Sequence, residues 1–223
     1  MKNLKAHFQI ILIAMAVLFL LNACKKNNAV SPEPKEEPFD IKQYILVEKQ
    51  KTSNTANAEP MLFIRTFEPQ SKSTLYTILG PLTRYLYSYN DGVLKIFRGD
   101  NTLDQEFKIT NNTITLISNT DVSYSCQLIK IPASNQLDGN TYSGGWMPRG
   151  SLISYYASLK FTDTRYAEAA LNVPVPDKEY TLIKNVGAYI FNNNTKTLLV
   201  LMGEKLEGSK YGTSELAGVF TKQ

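Results

Sequence analysis

Arg84-Tyr-Leu-Tyr-Ser-Tyr-Asn-Asp-Gly-Val-Leu-Lys-Ile-Phe-Arg98 is the stretch on which the fold turns. Along its first half Tyr85, Tyr87 and Tyr89 alternate with Arg84, Leu86 and Ser88, the two-residue period of a strand with unlike faces. Asp91-Gly92 then supplies the positive φ angles of a tight primed turn, and a second strand-like run follows over 93–98. The reading is an antiparallel hairpin. The same grammar recurs outward from it. Runs rich in Ile, Val, Leu, Thr, Tyr and Phe stand at 43–48, 61–67, 74–79, 106–110, 113–117 and 122–129. Later ones stand at 151–161, 166–171, 180–183, 188–191, 197–202 and 216–221, with Asn, Gly and Asp between them. No window of helical length carries a 3.6-residue apolar stripe; the best helical candidate, 164–171 with Ala167, Ala169 and Ala170, is short. The chain therefore predicts an all-β fold, an antiparallel β-barrel or sandwich.

Tyr189-Ile-Phe-Asn-Asn-Asn leads into an aliphatic strand ending at Gly203 and resembles the Tyr87-Ser-Tyr-Asn-Asp-Gly hairpin. Two related halves, 39–135 and 136–223, explain the likeness, and so does convergent hairpin chemistry. Ahead of them, 27–38 sets Pro32, Pro34 and Pro38 among Lys35, Glu36 and Glu37, the composition of an extended tether. The expected organisation is a leader at 1–23, a lipidated N-terminus and flexible linker at 24–38, and an all-β domain at 39–223.

The leader rests on named residues. Lys2, Lys5 and His7 form a basic start, and 8–21 is apolar for about 14 residues, right for a secretory signal and short of the ~20 that a membrane span needs. It ends in Leu21-Asn22-Ala23-Cys24, where a small residue precedes a cysteine. This resembles the lipobox of bacterial lipoproteins, with Asn22 more polar than usual at its position. The resemblance implies cleavage before Cys24, acylation of its thiol and a membrane anchor through that lipid. Lys25 and Lys26 follow, a start similar to lipoproteins of the Bacteroidota, which implies the outer membrane. The first acidic residue is Glu33, so the residues leave open whether the protein faces the periplasm or the cell surface.

Composition excludes more than it assigns. Without Lys2 and Lys5 the mature chain holds 22 basic and 20 acidic residues, scattered, which argues against nucleic acid as a partner. The single histidine, His7, leaves with the leader. A histidine-free chain has no Ser-His-Asp or Cys-His system and lacks the commonest metal ligand, so no metal and no cofactor are expected. With Cys24 acylated, Cys126 is the only thiol left. It alternates with Val122, Tyr124 and Leu128 and reads as an inert buried cysteine. Arg98-Gly99-Asp100 spells an adhesive tripeptide, yet it falls where a hairpin needs a turn. A pair of carboxylates is the one catalytic plan still open, with Asp163, Glu168, Glu204 and Glu207 available and no spacing that singles out two of them.

Two further features bear on binding. Gly144-Gly145-Trp146 resembles the Gly-x-Trp signature of lipocalin-like barrels, where the tryptophan plugs the closed end, and Thr162-Asp-Thr-Arg-Tyr166 resembles their second motif. The two stand closer together here than in that family, and far along the chain. The resemblance implies a lipocalin-like barrel with an apolar cavity near Trp146. The other feature is aromatic. Tyr85, Tyr87 and Tyr89 share one strand face, and Tyr142, Tyr155, Tyr156 and Trp146 make a second cluster; such rows either grip sugars and peptides or pack sheets. The expectation is a lipid-anchored envelope protein with a non-catalytic β-domain that binds or scaffolds, Tyr85, Tyr87, Tyr89 and Trp146 being the ligand-binding candidates. The ligand classes are a glycan, a peptide or an apolar small molecule. The rival readings are a two-carboxylate glycan-active enzyme and a lipocalin-like carrier.

Overall fold

The structure is a computed structural model, and it describes residues 39–51, 60–117, 123–192 and 194–223. Cys24, the leader at 1–23 and the linker at 24–38 lie outside the described residues, as does Val122. Asp40–Gln223 form one compact unit. Apart from a 3₁₀ turn, Ile41–Gln43, capped by the Asp40 carboxylate, the regular elements among the described residues are all strands.

The first eight strands make one antiparallel sheet: β1 (Tyr44–Lys51), β2 (Met61–Glu68), β3 (Lys72–Thr77), β4 (Gly80–Asn90), β5 (Val93–Phe97), β6 (Leu103–Thr110), β7 (Thr113–Leu116) and β8 (Ser123–Lys130). Their order is β7-β6-β5-β4-β3-β2-β1-β8, so consecutive strands pair until β8 returns to β1. The two outer strands are then β7 and β8. They approach one another, the Cys126 thiol donating to the Ile114 carbonyl at 3.6 Å, and the sheet is a nearly closed barrel.

The remaining strands repeat that plan: β9 (Thr141–Pro148), β10 (Tyr155–Phe161), β11 (Arg165–Ala169), β12 (Lys178–Glu179), β13 (Thr181–Ile183), β14 (Gly187–Asn192), β15 (Thr195–Met202), β16 (Lys205–Tyr211) and β17 (Glu215–Lys222). Consecutive neighbours pair again, β17 returns to β9, and the open edges β12 and β13 are separated only by Tyr180. The segment 164–171, the best helical candidate, supplies strand β11, because Tyr166 packs into an apolar interior that its alanines cannot fill as a helix.

Turn chemistry sets the registers. Asp91 (φ 51°) and Gly92 (φ 77°) form the tight β4–β5 turn, and Asn111 (50°) and Asn112 (60°) do the same between β6 and β7. Two further turns place residues with little such preference at positive φ, Gln70 and Ser71 (61°, 59°) and Lys184 (45°), the last beside Asn185 (64°). The Arg98-Gly99-Asp100 tripeptide is a turn as well: Arg98 Nε donates to Asp104 Oδ1 at 2.8 Å, Asp100 Oδ1 accepts from the Thr102 amide, and Asn101 has φ 64°.

The two barrels share a seam. Strands β1 and β2 are buried on both faces: Ile45, Val47, Leu62 and Ile64 turn away from their own barrel and pack on Ile183, Val186, Leu198 and Val200 of the other. Lys49 Nζ meets Glu207 Oε2 at 2.5 Å across this seam, and the Leu62 amide donates to Ser209 Oγ at 3.4 Å. Gly187 eases the approach here, since an added Cβ would stand 3.0 Å from the Leu199 carbonyl and 3.4 Å from Ile64 Cδ1 and push its neighbours back.

The barrel interiors differ in kind. The second is apolar, built from Leu137, Tyr142, Trp146, Leu159, Phe161, Tyr166, Ile190, Leu199, Leu206 and Phe220. The first encloses charge. Arg65 Nε donates to Glu48 Oε1 at 3.1 Å and Arg65 Nη2 to Gln105 Oε1 at 2.9 Å, while Glu48 Oε2 accepts from Gln105 Nε2 at 2.9 Å and from the Tyr124 hydroxyl at 2.5 Å. The guanidinium lies 4.8 Å from the Tyr85 ring centroid, and Arg65 and Glu48 are both fully buried.

Candidate functional site

The second barrel has one plugged end and one open end. At the plugged end the loop before β9 folds back: Leu137 enters the core, and the Tyr142 hydroxyl donates to the Gln136 carbonyl at 3.3 Å. At the other end β9, β10, β11, β12, β16 and β17 bring Trp146, Tyr155, Glu168, Lys178, Lys210 and Leu216 around a cleft of about 460 Å³. Strand period explains the convergence. Glu168 lies two residues beyond the core residue Tyr166, Lys210 four beyond Leu206, Leu216 four before Phe220 and Tyr155 two before Ala157, so all continue the inward faces of their strands past the packed layer.

Trp146 forms the floor. Its ring meets Phe220 edge to face, centroids 4.9 Å apart, in a slot that two glycines leave free. An added Cβ would lie 3.3 Å from Trp146 Cη2 at Gly208 and 2.6 Å from Trp146 Cε3 at Gly218. The indole is buried, with its N–H turned to the mouth, donating to Glu168 Oε1 at 2.9 Å. Lys210 Nζ donates to both Glu168 oxygens at 2.8 Å and stands 5.5 Å from the Trp146 ring centroid. Tyr155, paired with Trp146 across the sheet, and its neighbour Tyr156 line the cleft, 60 % and 56 % exposed. Beside them Lys178 Nζ lies 6.0 Å from the Tyr166 ring centroid and forms no ion pair among the described residues.

The core tyrosines report on this barrel. Burial, then the Glu168 and Asp177 charges, pushes the Tyr166 phenol up to about 12, and burial pushes Tyr142 up to about 12. A folded-state value raised above the ordinary tyrosine value of 10.0 makes a contribution to stability that is complete below pH 10 and lost as the pH rises through about 12. The melting temperature is therefore expected to hold up to pH 10 and fall steeply between 10 and 12, with part of the tyrosinate absorbance appearing only as the chain unfolds. Full titration of all tyrosines near pH 10 without unfolding would contradict this.

The candidate residues divide between the barrels. Tyr85 and Tyr87 are buried in the first: Tyr85 lies under Arg65, and Tyr87 meets Phe67 edge to face at 5.1 Å and donates to the Glu68 carbonyl at 3.2 Å. Tyr89 is half-buried on the same strand. Trp146, Tyr155 and Tyr156 share the cleft of the second barrel, and Tyr142 sits at its opposite end. Trp146 thus stands toward the open end, and the interior beneath it is filled by aromatic and aliphatic side chains rather than by a chamber. The four carboxylates are dispersed: Glu168 is in the cleft, Glu207 on the outer face with Lys49, and Asp163 and Glu204 on exposed turns. Cys126 is half-buried at the β7–β8 seam, its thiol pushed up mainly by burial. Among the described residues no group of acids and cysteines is placed to hold a metal ion.

Two other depressions offer less. A groove of about 400 Å³ between the barrels is lined by Gly145, Gly208, Ala217 and Gly218, its charges joined in the Lys49–Glu207 pair. A shallow one of about 510 Å³ near Arg84 and Tyr85 lies on the Arg98–Asp100 turn, where Arg98 is already held by Asp104. Comparison with protein-family models, with curated proteins and with solved structures gives no match for this chain.

Proposed function

We propose that this protein is a non-catalytic binding module of the bacterial cell envelope, held at the outer membrane by an acylated Cys24, with the mouth of its second barrel as the ligand site. The observation that carries the binding half is the preorganised floor of the cleft: a carboxylate fixed by an indole N–H and an ammonium, with two exposed tyrosines above it. Small-molecule sites combine a few convergent polar groups with aromatic walls, and this one spends no further reorganisation on binding. The absence of histidine from the mature chain, together with the dispersal of its carboxylates, supports a role in binding over one in catalysis. The anchoring half rests on Leu21-Asn22-Ala23-Cys24 and the lysines that follow.

Capture from detergent-solubilised envelopes tests the binding half. The parent protein is expected to retain a ligand or partner that the doubly substituted Tyr155→Ala, Tyr156→Ala chain loses, with both folded equally by circular dichroism. An identical set of retained molecules would remove the cleft from the reading. For the anchor, Cys24→Ala is expected to move the protein out of the membrane fraction, and unchanged partition would overturn the lipobox assignment.

A further inference from the structure

The cleft is flanked by an apolar collar that the packing of the barrel does not use. The loop 149–154, which enters β10 at Tyr155, carries Leu152 and Ile153, 99 % and 69 % exposed. The loop 170–177, which leaves β11 and re-enters at Lys178, carries Leu171, Val173 and Val175, 90 %, 63 % and 83 % exposed. Both loops therefore run directly into residues that line the cleft. Scattered exposed apolar residues are ordinary in proteins, and Leu79, Ile117, Phe191 and Val219 are such here; five on the two loops that enter one polar-floored cleft form a group.

The polar lining has a sign. It holds two ammonium groups, Lys178 and Lys210, and one carboxylate, Glu168, which already engages Lys210 with both oxygens. Lys178 is the cation of this lining with no ion pair among the described residues. A ligand suited to this gradient carries an anionic head for the floor and an apolar body for the lips. A neutral sugar leaves the Lys178 charge and the aliphatic collar unused, and a plain hydrocarbon leaves Lys178 without an acceptor.

Resting on the reading of this cleft as the ligand site, we infer that its ligand is an amphipathic carboxylate, bound head inward at Lys178 with its alkyl or aryl body across Leu171, Val173 and the Tyr155 face. The volume of about 460 Å³ falls within the ~300–1,000 Å³ of small-molecule sites and accommodates such a head and the near part of its body. The body then extends over the collar instead of into the barrel, whose interior is filled.

Trp146 is the only tryptophan of the chain and lies at the floor, so its emission reports occupancy directly. The full chain, anchored in phosphatidylcholine vesicles, is titrated with octanoate, with octyl glucoside as the same tail on a neutral head, and with trigalacturonate as an anionic head without a tail. Octanoate is expected to shift Trp146 emission saturably, while octyl glucoside and trigalacturonate do not. Lys178→Gln and Leu171→Asp are each expected to weaken octanoate by about tenfold or more at unchanged melting temperature. Equal response to octyl glucoside, an undiminished response in Lys178→Gln, or saturation by trigalacturonate alone would overturn the amphipathic anion. Silence toward all three probes, with envelope capture still dependent on Tyr155 and Tyr156, would overturn it and leave the cleft as the ligand site. Silence together with capture independent of those tyrosines would remove both.

Discussion

Glu48→Ala is expected to lower the free energy of unfolding by about 3–5 kcal/mol, because it strands a guanidinium inside a barrel. Arg65 is fully buried, and its Nη1 already has no hydrogen-bond partner among the described residues. Among the described residues its charge is balanced by Glu48, at 3.1 Å, with Gln105 supplying a neutral acceptor at 2.9 Å and the Tyr85 ring a quadrupole at 4.8 Å. Removing the carboxylate also takes an acceptor from Tyr124, whose phenol is held well above its ordinary range by burial and then by the Glu48 charge. Glu48→Gln keeps an oxygen in place and removes only the charge, so its cost should be smaller. The joint replacement Glu48→Leu with Arg65→Met should cost less than Glu48→Ala, since no unpaired charge remains, although Gln105 and Tyr124 lose their partner. Urea unfolding followed by far-UV dichroism measures all three. A Glu48→Ala loss below about 1 kcal/mol would mean that the pair is hydrated in solution. Trp146 emission adds a second readout, since it lies in the other barrel. Because the seam of Ile45, Val47, Leu62 and Ile64 against Leu198 and Val200 joins the barrels, its transition should shift in parallel.

Much of the fold could be read from the chain because it is local. Alternation in 84–98 and the Asp91-Gly92 turn both report on residues within a few positions, and both predict the hairpin seen in β4 and β5. The turn at Gln70-Ser71 was illegible for the converse reason: its residues adopt positive φ because the strands on either side demand it, and Lys184 does the same beside Asn185, whose own preference is the only local signal there. The site is legible only in part. Trp146, Tyr155 and Tyr156 announce themselves as aromatics, and Glu168 as a spare acid. Lys210 does not, because its partner lies 42 residues away in the chain. A signal was present nonetheless. In Leu206-Glu-Gly-Ser-Lys210 and in Leu46-Val-Glu48 a charge continues an apolar, inward-facing period, and a charge at such a place has to find a partner across the barrel or sit at its mouth. Which of the two applies depends on register and strand order, and these are properties of the whole sheet.

Trp146→Ala and Gly218→Ala are each expected to destabilise the protein, by about 3–5 and about 1–3 kcal/mol, and together by less than their sum. The first deletes the largest side chain beneath the cleft and leaves its slot empty between Phe220 and Gly208. The second adds a methyl group where none fits, 2.6 Å from Trp146 Cε3 and 2.7 Å from Phe220 Cε2. Once the indole is gone, the Gly218→Ala clash with Trp146 vanishes and its methyl group fills part of the void, so the cycle should show favourable coupling of about 1–2 kcal/mol. A third substitution separates packing from polarity at this residue. Trp146→Phe retains most of the ring volume but withdraws the N–H that reaches Glu168 at 2.9 Å, so it should cost far less stability than Trp146→Ala while still disturbing the cleft floor. Additivity within about 0.5 kcal/mol between Trp146→Ala and Gly218→Ala would show that the two do not share a slot, and with it the account of Trp146 as a floor held by glycine-made space would fall.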